Sequence, residues 1–189
     1  MARRAAPWAY IIWEIEMPTV RKATEADLPA IQAIYAHHVL HGTASFEEVP
    51  PTVEDLRIRM QSVWEKGLPY LVAEMNGTVV GYAYASLYRP RPAYRHTIEN
   101  SVYVDKDSAG LGIGRALMVA LIADCEKGPW RQMVAAIGDS ANIASIRLHT
   151  AMGFEPAGIF KSVGFKHGRW LDSVLMQRAL GAGDQTLPG

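Results

Sequence analysis

Apolar residues recur along the chain with two different periods. Alternation at every second position predicts β-strands, whereas spacings of three and four predict helices with one apolar face. Strands are predicted at 20–23, 70–74, 78–85, 97–104, 133–137, 154–160 and 170–178, and helices are predicted to begin at 24 and to cover 52–66, 112–125 and 142–152. The order β-α-α-β-β-β-α-β-α-β-β describes an α/β protein of α+β character.

Composition narrows the class of protein. The chain has 189 residues, of which 49% are hydrophobic and 20% charged, so it can bury one substantial core. Its formal net charge is zero, which argues against nucleic acid or an anionic membrane as the main partner. The single cysteine, Cys125, allows no internal disulfide and falls late in a predicted helix, where we expect it to pack. A cytoplasmic enzyme is therefore expected.

The two ends of the chain differ from the middle. Residues 1–16 contain an apolar stretch after Arg3 and Arg4, but Glu14 and Glu16 interrupt it, so we expect no export signal. We predict an N-terminal extension over 1–16, one catalytic domain over 17–180 and a flexible Gly/Pro-rich tail over 181–189.

Three alternating glycines stand between a β-branched strand and a predicted helix. Gly110, Gly112 and Gly114 let backbone N–H groups converge at the helix N-terminus, where a pyrophosphate can bind. A Walker A loop is excluded because Arg115 and Ala116 follow the last glycine instead of Lys and Ser/Thr, and the Rossmann fingerprint would need glycine in place of Arg115. Glycines that only turn the chain are the alternative.

This loop resembles motif A of the GCN5-related N-acetyltransferases (GNAT), Q/R-x-x-G-x-G/A, with Gly112 and Gly114 as its glycines and Ala109 at the usual Gln/Arg position. Residues 142–149 resemble the same family's helix signature, Asn-x-x-Ala/Ser-x-x-Leu/Phe-Tyr, with His149 in place of tyrosine. The resemblance implies the acyl-CoA N-acyltransferase fold, a mixed central sheet flanked by helices, and acetyl-CoA as co-substrate.

Within the family, most of 18–180 resembles the phosphinothricin and methionine sulfone/sulfoximine N-acetyltransferases. The residues that carry this resemblance are 21–27, 43–46, 70–74, 93–94, 99, 102–104 and 164–172. It implies acetylation of the α-amino group of a small amino acid or analogue, and a homodimer with the site near its interface. Arg89 and Ser101 stand where the phosphinothricin enzymes have Lys and Thr.

The resemblance also implies which residues form the site. The expected acetyl-CoA contacts are Val102, Tyr103, Val104, Gly110, Leu111, Gly112, Ile113, Gly114, Arg115 and Asn142. The expected substrate pocket is Phe46, Arg89, Arg91, Tyr94, Glu99 and Ser101. Two arginines suit bidentate binding of a carboxylate or phosphinate, although Arg-Pro-Arg-Pro is also typical of a solvated loop.

Acetyl transfer to an amine needs a base and an oxyanion donor. Glu99 can take the proton of the attacking amine, directly or through a water, unless it is only an exposed strand residue. We expect a bulge within 101–104 to free the Val102 N–H, which would then stabilise the oxyanion.

Asn142 and His149 are seven residues apart, two helical turns, and therefore share a face of the predicted helix. The signature implies that Asn142 binds the pantetheine arm and that His149 faces the CoA sulfur. His149 would then protonate the departing thiolate or share the role of base. A helix cap and a packed or surface histidine are the alternatives.

The other histidines have no pattern typical of metal ligands, so no metal is expected. Two other functions stay open: an acetyltransferase acting on a protein N-terminus or lysine, and a CoA-binding sensor without catalysis.

Overall fold

The computed structural model describes residues 17–188. The prediction for 1–16 lies outside the described residues. The strands are β1 (Thr19–Lys22), β2 (Tyr70–Met75), β3 (Thr78–Leu87), β4 (Thr97–Val104), β5 (Gln132–Gly138), β6 (Glu155–Lys166) and β7 (Arg169–Ala179). The α-helices are α1 (Leu28–His41), α2 (Val53–Glu65), α3 (Ile113–Cys125) and α4 (Ile143–Ala151), and short 3₁₀ turns cover Glu25–Asp27, Pro92–Tyr94 and Lys106–Ser108.

All the described strands form one sheet in the order β1-β2-β3-β4-β5-β7-β6. Neighbouring strands are antiparallel except β4 and β5, which are parallel. The predicted order of elements and the mixed sheet flanked by helices are therefore confirmed.

Local sequence explains several element ends. Asn76 and Gly77 have φ angles of 50° and 73°, as the tight β2–β3 hairpin requires. The Thr52 hydroxyl accepts from the Asp55 N–H and caps α2. The predicted first helix differs, because a 3₁₀ turn precedes α1: the Asp27 carboxylate accepts from the Thr24 N–H at 2.8 Å and binds Arg21.

The helices pack on both faces of the sheet. A Cβ on Gly81 of β3 would lie 3.0 Å from Ile113, so α3 covers the face to which Gly81 points. The next residue, Tyr82, points to the opposite face and stacks on Tyr103, whose ring meets Tyr35 of α1 at 4.9 Å. Helices α1 and α3 therefore lie on opposite faces.

Strands β4 and β5 separate part-way along their length. They pair only through Thr97–Glu99 and Gln132–Val134, although β4 continues to Val104 and β5 to Gly138. The sheet consequently opens between the C-terminal halves of these two strands.

The bulge expected within 101–104 is wrong. The β3–β4 register runs without a shift from Gly81 opposite Val104 to Leu87 opposite Ile98. Backbone donors of β4 are freed instead because β5 turns away, which needs no extra residue in β4.

Strand β6 is longer than predicted and forms an edge of the sheet. It continues to Lys166 because it resumes pairing with β7 after irregularities at Pro156/Gly158 and Phe160/Gly164. Cys125 is buried in the core, and burial raises the pKa of its thiol to about 12. Between residues 17 and 188, no helix is both long and apolar enough to cross a membrane.

Candidate active site

A cavity of about 460 Å³ occupies the gap between β4 and β5. Strand β4 lines it from Glu99 to Tyr103, β5 from Ala135 to Gly138, and α4 through Ser145 and His149, with Asn142 just before the helix. Loop 44–47 and Tyr84 complete the wall. Because successive residues of β4 point to opposite faces, the cavity is lined from both sides of the sheet.

Strand pairing determines which backbone groups face this cavity. The Asp105 N–H donates to Val80 O and the Thr97 carbonyl accepts from Tyr88 N–H, so odd-numbered residues of β4 direct their backbone to β3. Even-numbered residues, including Val102, direct theirs toward β5. Since pairing with β5 ends at Glu99, the Val102 N–H faces the gap. Tyr103 can reach the cavity only through its side chain.

Glu99 lies where the two strands part. Its carboxylate is half-buried among the cavity walls, and this burial raises its pKa above the ordinary 4.5. The positive charge of Arg89 acts in the opposite direction. Arg89 stacks over the rings of Tyr88 and Tyr94, at 4.9 and 5.7 Å from their centroids. Arg89, Arg91 and Tyr94 all lie outside the cavity lining, and both arginines are exposed.

Ser101 is the cross-strand partner of Tyr84, and their side chains share a face with Glu99. A hydrogen bond from Ser101 to Tyr84 counteracts burial, which raises the Tyr84 pKa. Phe46 closes this side of the cavity from the loop between α1 and α2. The structure thus brings Phe46, Glu99 and Ser101 together, with Arg89 beside them.

The loop that carries Phe46 is fastened by distant segments. The buried Lys166 ammonium donates to the Ser45 carbonyl at 2.7 Å, and Tyr35 hydrogen-bonds the Ser45 hydroxyl at 2.8 Å. The Phe46 ring packs so closely on Gly164 that a Cβ there would lie 2.5 Å from it.

Glu47, in the same loop, faces the cavity with its charge already compensated. It accepts from the Tyr35 hydroxyl at 2.9 Å and from Arg59 at 2.6 Å. Because Arg59 neutralises it, Glu47 adds little net negative charge to the wall beside Glu99.

His149 and Asn142 line the opposite side of the cavity. The Asn142 side-chain oxygen caps α4 by accepting from Ser145 N–H at 3.2 Å, which leaves its NH₂ group as a donor. The His149 ring is only 3% exposed and meets Phe154 edge-on. Its two nitrogens bind Ser145 O at 2.8 Å and Asn100 Nδ2 at 2.9 Å.

The glycine loop leads into the N-terminus of α3. Gly110 and Gly112 have φ angles of 81° and 79°, and a Cβ on either would meet nothing within 4 Å, so glycine is required by backbone conformation. Gly114 instead allows close packing, since a Cβ there would lie 3.2 Å from Leu148. The N–H groups of the first helical turn have no partner within the helix and suit a pyrophosphate.

The remaining loop residues divide into exposed and buried. Leu111 and Arg115 are exposed, whereas the Ile113 side chain is buried, so only its backbone can contact a ligand. The Val104 carbonyl is 2.8 Å from Nε2 of His38, which fixes the strand end before the loop.

Comparison with known proteins agrees with this geometry. Residues 20–175 match the model of the acetyltransferase (GNAT) domain. This chain belongs to the GNAT acetyltransferase family. It is an enzyme that uses acetyl-CoA.

Two curated relatives are especially similar. The chain is 62% identical to a phosphinothricin N-acetyltransferase of Alcaligenes faecalis, over 90% of this chain and 86% of that protein. It is 40% identical to an L-methionine sulfoximine/L-methionine sulfone acetyltransferase of Salmonella typhimurium, over 86% and 94%. The crystal structure of a phosphinothricin acetyltransferase from Sinorhizobium meliloti in complex with acetyl-CoA superposes with a TM-score of 0.88 at 46% identity, covering 91% of this chain and 93% of that one.

Several residues of this GNAT site were missed by sequence reasoning. Tyr84, Glu47 and Asn100 line the cavity, and Lys166 fixes its loop. Their positions depend on strand pairing and on contacts between segments far apart in the chain. Only Asn100 had an available signal, because it stands between two predicted site residues. Among residues 17–188, no cluster of three or more His, Cys, Asp or Glu side chains is arranged to bind a metal.

Proposed function

We propose that this enzyme transfers the acetyl group of acetyl-CoA to the α-amino group of a small amino acid or analogue, of the phosphinothricin, methionine sulfone or methionine sulfoximine type. The observation that carries the proposal is the half-buried Glu99 carboxylate where β4 and β5 part. The names of the curated relatives support the substrate class.

Glu99 is the general base. It takes a proton from the substrate ammonium, directly or through a water, so that the neutral amine attacks the thioester carbonyl. Burial makes the carboxylate a better proton acceptor, because it disfavours the charged form. The positive charge of Arg89 acts in the opposite direction and favours the ionised carboxylate.

The Val102 N–H is the oxyanion donor. Attack on the thioester places negative charge on the former carbonyl oxygen, which a fixed backbone donor stabilises. Val102 suits this role because its N–H faces the gap beyond the last β4–β5 pair. His149 lies on the sulfur side of the same cavity, across from Glu99.

Substrate recognition uses the face of the sheet that carries Glu99. Phe46 and Ser101 form the wall, and Arg89, held on Tyr94, binds the carboxylate or phosphinate. Arg91 adds a second positive charge at the entrance. Acetyl-CoA is held by Val102–Val104, the 110–115 cradle and the Asn142 amide.

The working unit is a homodimer built from domain 17–180. Exposed apolar side chains along the β6 edge and β7 support a second copy as partner; they are Ile159, Phe160, Val163, Phe165 and Trp170. Lys166 ends the same strand and holds the Phe46 loop, so this surface lies beside the substrate site.

Free-thiol release with a panel of amines tests the function. Phosphinothricin, methionine sulfone, methionine sulfoximine and common amino acids are compared with peptides that offer only an N-terminus or a lysine. Turnover with the small zwitterions, and mass spectra with acetyl on the α-amino group, are expected. Turnover with peptides alone would transfer the assignment to a protein acetyltransferase, and acetyl-CoA binding without thiol release from any amine would indicate a sensor.

A further inference from the structure

The hydrogen bonds of His149 define its protonation state. Nδ1 lies 2.8 Å from the Ser145 carbonyl, which can only accept, so Nδ1 carries a proton. Nε2 lies 2.9 Å from Nδ2 of Asn100, which can only donate, so Nε2 presents its lone pair. The ring is therefore the neutral imidazole with its single proton on Nδ1.

The environment of Asn100 favours this orientation of its amide. Asn100 is only 6% exposed, and Nδ2 has a second contact with the Met118 sulfur at 3.5 Å. Its oxygen, Oδ1, is buried without a partner. Turning the amide over would aim Oδ1 at Nε2, which is favourable only for an imidazolium, and would deprive both amide hydrogens of their acceptors. Oδ1 is therefore left without a partner because Asn100 directs its NH₂ group to Nε2 of His149.

Resting on the proposed function, we propose that Asn100 is a positioning residue that keeps His149 neutral and aims its ring, so that His149 is not the acid that protonates the departing thiolate. Thiols are weak acids that ionise near or moderately above neutral pH, as a cysteine side chain does at about 8.5, so a thiolate can leave without that acid. The proton on Nδ1 is held by the Ser145 carbonyl at 2.8 Å, and the Ser145 hydroxyl lies 3.4 Å from the same nitrogen.

The other groups around the ring act in the same direction. Burial lowers the His149 pKa, and the Ser145 carbonyl opposes it only in part. The side chains that contact the ring, Asn100 of β4 and Phe154 in the loop after α4, are uncharged, and so is Met118, which contacts the Asn100 amide. Glu99 precedes Asn100 but points to the opposite face of β4, so it does not pair with the imidazole.

The proposal is tested on the resting full-length protein, labelled with ¹⁵N-histidine and followed by NMR between pH 5 and 9. We expect the His149 spectrum to show a protonated Nδ1 and an unprotonated Nε2, with a titration midpoint below the ordinary value of about 6.5. A protonated Nε2 at neutral pH would overturn the proposal without any variant.

Variants separate positioning from simple packing. Asn100→Asp replaces the donor by a carboxylate that pairs with an imidazolium, so the His149 midpoint is expected to rise by about one pH unit or more. Asn100→Ala removes the donor and is expected to move the His149 midpoint back toward 6.5. This variant replaces Asn100→Asp in the test if the Asp variant does not fold. Met118→Leu, the matched control, keeps the packing and removes only the sulfur contact, so the midpoint is expected to stay unchanged.

Kinetics give the second readout. In Asn100→Asp, kcat is expected to fall severalfold at pH 7 and to recover as pH rises past the new midpoint, while the Kd for acetyl-CoA stays within about twofold. Wild-type midpoints in both Asn100 variants, or a pH-independent loss of kcat in Asn100→Asp, would reduce Asn100 to a packing residue. Because NMR needs no amine, a failure of the proposed substrate class leaves this result interpretable on its own.

Discussion

The two faces of the sheet build their halves of the site in different ways. On the α3/α4 face, the proposed co-substrate cradle is one continuous segment, 110–115, in which Gly110 and Gly112 adopt φ angles near 80°. On the α1/α2 face, the Phe46 loop is held by Lys166 and Gly164, more than 100 residues away in the chain. One half is encoded locally, and the other depends on the whole fold. Substitutions within 110–115 should therefore weaken acetyl-CoA binding. Substitutions at the distant residues that hold the Phe46 loop should weaken binding of the amine.

Glu99→Gln is the largest expected effect, because Glu99 lies between the two halves. The amide keeps the shape but cannot accept the proton, so turnover should fall by roughly 10²–10⁴. Steady-state kinetics with the best amine, together with calorimetry of acetyl-CoA, measure this. The affinity for acetyl-CoA should hardly change. Near-normal turnover would leave Glu99 as a binding residue only.

Gly112→Asp breaks the locally encoded half. An L-residue is strained at φ 79°, and a carboxylate repels the pyrophosphate at the helix N-terminus, so the Kd for CoA should rise on the order of 100-fold. Calorimetry with CoA measures it, and circular dichroism checks the fold. Since a Cβ at this position meets nothing within 4 Å, the core should remain intact. Unchanged CoA binding in a folded variant would exclude this loop from the site.

The pH dependence of activity tests Glu99, which lies between the two halves of the site, without a mutation. Burial raises the Glu99 pKa, and the carboxylate must be ionised to accept a proton, so activity is lost as pH falls through that raised value. Below it, kcat/KM should decrease about tenfold per pH unit. This acid limb should be absent from the residual activity of Glu99→Gln. Its persistence there would assign the limb to another group.

Gly164→Ala disturbs the half of the site on the α1/α2 face, where distant residues hold the Phe46 loop. Its Cβ would lie 2.5 Å from the Phe46 ring, so the loop must move, and the KM of the amine should rise about tenfold. Gly158→Ala is the matched control in the same strand, because a Cβ there meets nothing within 4 Å. The Kd for acetyl-CoA should be unchanged in both. Equal effects of the two variants would contradict a specific role for Gly164.

Lys166→Met, which also acts on the Phe46 loop, gives the smallest expected effect. The variant keeps the buried chain length but removes the donor to the Ser45 carbonyl, a hydrogen bond worth about 1 kcal/mol. The KM of the amine should therefore increase about fivefold, with kcat and the Kd for acetyl-CoA nearly constant. A larger loss of acetyl-CoA binding than of amine binding would reverse the comparison of the two faces.

Much of the fold could be predicted from sequence because its signals are local. The Asn-Gly hairpin, the capped α2 and the glycine loop each depend on residues a few positions apart, and the predicted order of elements is confirmed. The prediction failed where contacts between segments far apart in the chain determine the local backbone geometry. The Val102 N–H faces the gap because β5 departs from β4, and no pattern within 101–104 encodes that separation. The predicted bulge was a local explanation of a tertiary feature.

By itself, the sequence determined the order of helices and strands, the glycine loop before α3 and the candidacy of Glu99 and His149. Backbone conformation and residue chemistry are properties of short segments, so they can be read without the fold. Only the tertiary structure decided that the charge of Arg89 acts on Glu99 although both Arg89 and Arg91 lie outside the cavity lining, and that Asn100 binds the His149 ring. Burial and hydrogen-bond partners depend on which distant segments meet, and they set the pKa and orientation of each group.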